Sequence, residues 1–275
     1  AVLELGERTG HVWLRRLLGL VCGAAGEPWP AAEACGLVHL ATDRGRVDAT
    51  RDLRLTAVQQ DTNRLTVEQS VDPQGLALTM AWELCPDTGV LTRRDRVENR
   101  SSQPITLRSY RARLAFGAGP YEVYTQDSRW CVESQGAWQP WLQGTLLVAN
   151  NGRSCQQAAP FAALRARAGE PGLVAHIVSR GNWQIRARRV AVYRDHPEAF
   201  VLELGQAEED LRVVLAPGEA WEAPLLLFAA APTGDPAEAA PAVSRWAEAH
   251  LMQRPYPRPL VHYNTWFDHY EHLDL

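Results

Sequence analysis

The sequence predicts an all-β protein, a large two-sheet β-sandwich followed by a single linker helix. Three observations predict it. Between about residue 37 and residue 230, short segments carry apolar residues at every second position, the period at which a half-buried strand shows one face to a core. Turn residues separate these segments at short intervals. No helical period interrupts them before residue 233, so strands must pack on strands, and at this length that means many strands in two large sheets.

The opening stretch, AVLELGERTGHVWLRRLLGLVCGAAG, has an apolar patch at Leu17 to Ala25 that is similar to a signal-peptide core. The patch is short, follows charges of both signs and runs on into a folded pattern, so it reads as part of the domain. RLTVEQSVD, LALTMAWELC, TLRSYRARLAF, LVAHIVSR, WQIRARRVAVYR, FVLELG and LRVVLA then alternate as antiparallel strands do. Their punctuation is Asp72-Pro73-Gln74-Gly75, Pro86-Asp87-Thr88-Gly89, Glu98 to Ser102, Gly117 to Pro120, Gly181-Asn182 and Ala216-Pro217-Gly218. The pattern changes once. In TGDPAEAAPAVSRWAEAHLMQ, Thr233 or Asp235 can cap a helix with Pro236 in its first turn, and Val243, Trp246, Ala247, His250 and Leu251 fall at helical spacing. The run Pro255-Tyr256-Pro257-Arg258-Pro259 stops that helix. LVHYNTWF follows, apolar on both faces like a strand of a parallel sheet covered on both sides. The chain holds no neighbours for such a strand, so residues 1–275 are expected to be the front of a longer polypeptide, or what survived of one.

Composition narrows the function. All 28 basic residues are Arg and none is Lys, and a net charge of −4 gives no electrostatic footprint for nucleic acid or anionic lipid. Five cysteines, none in CxxC spacing, point to a reducing compartment without a zinc knuckle, and no apolar run is long enough to span a bilayer. The expected setting is cytoplasmic, with no membrane or nucleic-acid partner. No phosphate loop, Gly-x-Ser-x-Gly or Ser-His-Asp order supports nucleotide or acyl-transfer chemistry. His262, His269 and His272, with Asp268 and Asp274, have spacings that fit no zinc pattern, so neither metal nor cofactor is predicted. Arg93-Arg94-Asp95-Arg96 and the group Arg186, Arg188 and Arg189 read as the solvated faces of their strands.

Four segments, in order, resemble the amino-terminal part of glycoside hydrolase family 36, the α-galactosidases and raffinose-synthase relatives: GVLTRRDRVENRSSQPITL, NGRSCQQAAPFAAL, LAPGEAWEAPLLLF and RPYPRPLVHYNTWFD. The resemblance covers essentially the whole chain. It implies a galactose-mutarotase-like β-supersandwich over residues 1–232, a linker helix and Pro-rich segment over 233–259, and the first strand of a (β/α)8 barrel with its following loop over 260–275. It also implies that catalysis belongs to two Asp residues on later barrel strands, the nucleophile in a Lys-x-Asp motif, retaining carboxylates standing roughly 5–5.5 Å apart. A chain without Lys holds no such motif. There are two departures: Cys155 stands where the family commonly has His, which removes any role carried by that His, and Phe267-Asp268 stands where it commonly has Glu-Ala, which points to a divergent subgroup.

Carried onto this chain, the resemblance places Asn264 and Trp266 at the carboxyl end of the first barrel strand, where barrel enzymes build their sites. There the Trp266 indole can stack on a galactose ring while Asp268 or Asp274 accepts hydroxyl hydrogen bonds. Trp29, held between Pro28 and Pro30, is the loop aromatic best placed to reach over the barrel mouth; Trp130, Trp138, Trp141 and Trp183 read as core filling. The expected function is therefore a non-catalytic domain of an α-galactosidase-like hydrolase that caps the barrel, contributes to the sugar site and helps form a homo-oligomer. Two alternatives stay open, a stand-alone carbohydrate-binding module and an aldose-epimerase-like enzyme, for which His176 and Glu203 are the acid and base to nominate.

Overall fold

The computed structural model describes residues 3–8, 11–18, 20–21, 36–47, 52–117, 119–129, 132–140, 144–150, 157–179, 181–190, 199–206 and 211–252. The strands among them, in chain order, are β1 (Leu3–Arg8), β2 (His11–Leu17), β3 (Leu20–Val21), β4 (Val38–Thr42), β5 (Gly45–Arg46), β6 (Leu53–Gln60) and β7 (Arg64–Val71). They continue with β8 (Leu76–Leu84), β9 (Leu91–Asn99), β10 (Ile105–Phe116), β11 (Glu122–Arg129), β12 (Val132–Pro140), β13 (Thr145–Asn150) and β14 (Phe161–Arg165). The last are β15 (Gly172–Val178), β16 (Trp183–Val190), β17 (Ala199–Gly205), β18 (Val213–Leu215), β19 (Ala220–Glu222) and β20 (Leu225–Ala231), before helix α1 (Ala240–His250).

Two large antiparallel sheets carry the fold. A ten-stranded sheet runs β12-β11-β14-β15-β20-β9-β8-β7-β6, with β19 also pairing β9; a seven-stranded sheet runs β13-β16-β17-β10-β4-β5, with β18 also pairing β10. The alternating segments meet face to face. Val67, Leu78, Met80, Val97, Leu173, Ile177 and Phe228 of the larger sheet and Leu40, Tyr110, Leu114, Phe116, Ile185 and Leu204 of the smaller one form one buried core. Aromatic rings stitch it: Tyr110 meets Trp221 edge-on with centroids 5.3 Å apart, and Tyr121 lies 4.9 Å from Phe200.

The turns follow their sequence signals. At Cys85 to Val90 a tight turn closes with Gly89 N–H donating to the Cys85 carbonyl at 2.8 Å, and Gly89 takes a φ of 72° that favours glycine. At Asn99 the buried side-chain amide donates to the carbonyls of Gln103 and Leu215 at 2.8 and 2.9 Å while its oxygen accepts from Ser101, so one residue fixes the turn and ties it to β18.

The predicted helix is present but shorter. Asp235 accepts from the Ala237 N–H at 2.9 Å and opens a 3-10 turn over Pro236–Glu238, whose Glu238 reaches back to the Thr233 N–H and hydroxyl. The α-helix itself spans Ala240–His250. Its Trp246 is buried against Val90, Leu225 and Leu227, whereas Leu251 caps the helix and is exposed. The helix thereby covers the outer face of β20, which explains why LLLFAAA lacks alternation: its residues are buried on both sides.

One element went unanticipated. The opening residues, read as part of the domain but given no strand, form a three-stranded sheet, β1-β2-β3, in which Trp13 packs so closely over Gly6 that a side chain there would meet the indole ring. Leu17, inside the signal-like patch, is fully buried.

Candidate functional site

The charged centre of the molecule lies on the seven-stranded sheet. Tyr110, Ala112, Leu114 and Phe116 of β10 point into the core, so Ser109, Arg111 and Arg113 take the opposite face. There Arg113 stands directly across from Glu203 of β17, Glu203 across from Arg186 of β16, and Arg111 across from both His39 of β4 and Gly205. Glu203 is completely buried. It accepts from Arg111 Nε at 3.0 Å and from Arg188 Nη2 at 3.2 Å, and Arg113 Nε lies 3.0 Å from its Oε1. Arg111 in turn donates to the Ser109 hydroxyl at 3.1 Å. Gly205 permits this: a Cβ there would come within 2.2 Å of the Tyr110 carbonyl and 3.0 Å of the Arg111 Cγ, so glycine lets β10 approach β17 this closely beside Arg111.

These surroundings decide the protonation states. Burial alone would raise the Glu203 pKa, but Arg113, Arg111 and Arg188 outweigh it and hold the carboxyl below its usual range. Burial, reinforced by Arg111 and opposed by Glu203, lowers His39 to about 3, so its imidazole is neutral. Burial likewise lowers Arg113 to about 10, with Glu203 pulling it back up, and it stays charged at neutral pH. Chemically, the cluster is a fixed anion held by fixed cations, with no group poised to exchange a proton near pH 7.

That arrangement predicts an acid limb of stability. His39 binds a proton in the unfolded chain below its ordinary pKa near 6.5 but not in the folded chain until about pH 3, so the unfolded state carries more protons across that window and stability falls as pH falls. The loss between pH 7 and pH 5 is expected to reach up to about 2 kcal/mol from this residue. Urea unfolding of the parent and of His39→Gln at the two pH values checks it: the variant should lose less, and an equal loss in both excludes His39 as the cause.

A second ion pair corrects the sequence reading of Arg93 and Asp95 as solvent-facing. Both are buried between the sheets. Arg93 Nε lies 2.9 Å from each Asp95 oxygen and Nη2 2.7 Å from Oδ2, while Nη2 also reaches the Leu37 carbonyl at 2.9 Å and the guanidinium sits 4.9 Å over the Trp82 ring. The Tyr110 hydroxyl donates to Asp95 from the opposite sheet. Only Arg94, and partly Arg96, face outward as expected. Arg188, half-buried and bound to Glu203, departs from the solvated reading in the same way.

The sugar-site candidates Trp29, Asn264, Trp266, Asp268 and Asp274 lie outside the described residues, as do Trp130, Trp141, Cys155, His262, His269 and His272. Trp183 is core filling, as expected. Trp138 is half-buried on the outer face of the ten-stranded sheet, 5.5 Å from Tyr124 and with the Arg165 guanidinium 3.8 Å over its ring. His176 sits on β15 of the ten-stranded sheet, its Nδ1 3.1 Å from the Ile177 carbonyl and its ring stacked on Phe161, whereas Glu203 lies on the seven-stranded sheet. The two do not converge, so they form no epimerase acid and base pair. Among the described residues no group of His, Cys, Asp and Glu could hold a metal ion, and no helix is long and apolar enough to cross a membrane. Sequence reasoning missed Glu203 as a hub; its signal is a lone acid in FVLELG set among strands whose charged positions are arginine.

Known proteins give this architecture a context. The galactosidase domain of the α-galactosidase-sucrose kinase AgaSK superposes with a TM-score of 0.69 at 15% identity, over 84% of this chain and 39% of that one. The α-galactosidase of Lactobacillus brevis gives 0.67 at 14% identity, over 83% of this chain and 38% of its own. A variant of the family 36 α-galactosidase AgaA of Geobacillus stearothermophilus, bound to 1-deoxygalactonojirimycin, gives 0.67 at 17%, over 84% and 39%. At these identities the likeness is one of fold, and the chain spans about 39% of the length of such structures. No curated protein matches the sequence. The sequence model of the glycosyl hydrolase family 36 N-terminal domain, however, matches residues 38–194, more than half of the chain. The chain belongs to that family of N-terminal domains of family 36 glycosyl hydrolases.

Proposed function

We propose that this chain is the non-catalytic β-sandwich portion of an α-galactosidase-like glycoside hydrolase, acting within a larger cytoplasmic protein that cleaves α-galactosides. In this reading residues 1–232 cap the barrel, 233–259 link to it and 260–275 begin it, with Asn264, Trp266, Asp268, Asp274 and Trp29 meeting the sugar and the domain helping to form a homo-oligomer. The observation that carries it is the family match over residues 38–194 in a chain without any Lys, and hence without Lys-x-Asp. The carboxylates buried at the two charged centres support it too: Asp95 is bound by Arg93 and Tyr110, and Glu203 by three arginines, so neither is free to serve as nucleophile or acid. Raffinose and stachyose occupy complexes of the Geobacillus enzyme, which makes such galactosides the first substrates to try.

The pure 275-residue chain should release no aryl alcohol from an aryl α-galactoside, and a reading frame extended through a barrel should. Turnover by the chain alone overturns the proposal. Calorimetry with galactose, melibiose and raffinose separates it from a stand-alone binding module, which predicts tight binding by this chain without a barrel.

A further inference from the structure

A sheet edge exposes a row of backbone donors and acceptors, and proteins blunt such edges with short strands, bulges, charge or proline. Three of the four edges of the two large sheets are blunted in this way. β5 is two residues long; β6 carries Arg54 and a register shift between Leu55 and Ala57, with β2 packed against it; β12 has a register shift against β11 beside Ser134, whose φ is 59°. The fourth edge, β13, has none of these devices. Its six residues, Thr-Leu-Leu-Val-Ala-Asn, hold no charge and no proline and pair with β16 without a shift, and among the described residues nothing pairs with its other edge. Leu146 and Val148 pack against the core but stay half-buried, since no described strand closes the core beyond them, and Leu147 on the outer face is 50% exposed.

We propose that β13 pairs antiparallel with β13 of a second copy of this chain, about a two-fold axis at Leu147, so that the two seven-stranded sheets run on as one. The strand complements itself in that register. Leu147 meets its own counterpart and Thr145 meets Ala149 on the outer face, while Leu146 meets Val148 on the inner face and joins the two cores. No like charges come together, and a slip by one residue would turn the partner's inner row to the outer face. The pairing rests on the homo-oligomer of the proposed function and gives it a surface.

Sedimentation equilibrium of the full chain, from micromolar to submillimolar concentration, should show reversible dimers. Leu147→Lys, at an exposed position that tolerates it, sets two cations opposite each other and should raise the dissociation constant roughly tenfold or more at an unchanged urea midpoint. Leu147→Glu should raise it less, since Arg186 stands across from it on β16. A mixture of the two variants should dimerise more tightly than either alone, as a contact of residue 147 with its own counterpart requires. A dimer indifferent to both variants, or a mixture no tighter than they are, overturns the pairing while leaving the homo-oligomer in place. A parent that stays monomeric overturns both and leaves the edge to a strand of the longer polypeptide.

Discussion

Replacing Glu203 by Gln is expected to lower the stability of the chain by about 3–5 kcal/mol, the cost of removing one partner from a buried ion cluster. At this chain length that corresponds to a drop in melting temperature on the order of 10 °C. Gln keeps the shape and one acceptor oxygen but leaves Arg111 and Arg113, each 2% exposed, facing a neutral group where a carboxylate stood. Such a cluster is poorly screened, so added salt should not restore the variant, in contrast to an exposed pair such as Arg96 and Glu98. The pH dependence has a fixed sign. Because the folded-state pKa of Glu203 is depressed, its contribution is fully present above the unfolded carboxylate range and disappears as pH falls through the folded value. The gap between parent and variant should therefore be constant near neutrality and narrow in acid. Urea midpoints at unchanged m-value measure it, and a variant within about 1 kcal/mol of the parent removes Glu203 from its structural role.

Much of this fold was legible because strands such as β7 and β8 alternate along the sequence as one of their faces meets the core. β7, β8, β15 and β17 carry the alternation that placed them, and the Asn99 and Gly89 turns sit where their residues demand. The hairpin β1-β2 was not legible, because its pairing depends on Trp13 fitting over Gly6, a contact between strands that no period reveals. Charge misled in a more instructive way. Leu91, Arg93, Asp95 and Val97 share one parity, so alternation alone puts all four inside. What argued against it was the cost of burying charge, and the groups that offset that cost, Tyr110 and the Leu37 carbonyl, come from another sheet and a distant segment. The same holds for Glu203, whose arginines arrive from β10 and β16. The candidate sugar residues were named by resemblance to the family, and they lie outside the described residues.

Asp95→Asn is expected to cost about 3–5 kcal/mol as well, for a reason that separates specificity from stability. Asp95 joins the two sheets: it holds Arg93 on its own strand and receives the Tyr110 hydroxyl from the other sheet, while Arg93 reaches on to the Leu37 carbonyl ahead of β4. Burial would by itself lower the Arg93 pKa, and Asp95 more than compensates and raises it, so neutralising the carboxylate leaves the cost of burying the guanidinium without its main offset. The single variant thus strands a buried cation whose Nη1 already has no partner. Removing the whole network is a different experiment. Arg93→Met, Asp95→Leu and Tyr110→Phe together replace it by apolar side chains, and such replacements of buried ion pairs are often neutral or stabilising by roughly 1–4 kcal/mol. The triple variant should therefore unfold at or above the parent's midpoint, while the single one unfolds well below it. If both fall equally, the network contributes stability in its own right; if the triple variant is stable but its two sheets lose their fixed near-ultraviolet signature, the ion pair sets how the sheets register rather than how firmly they hold.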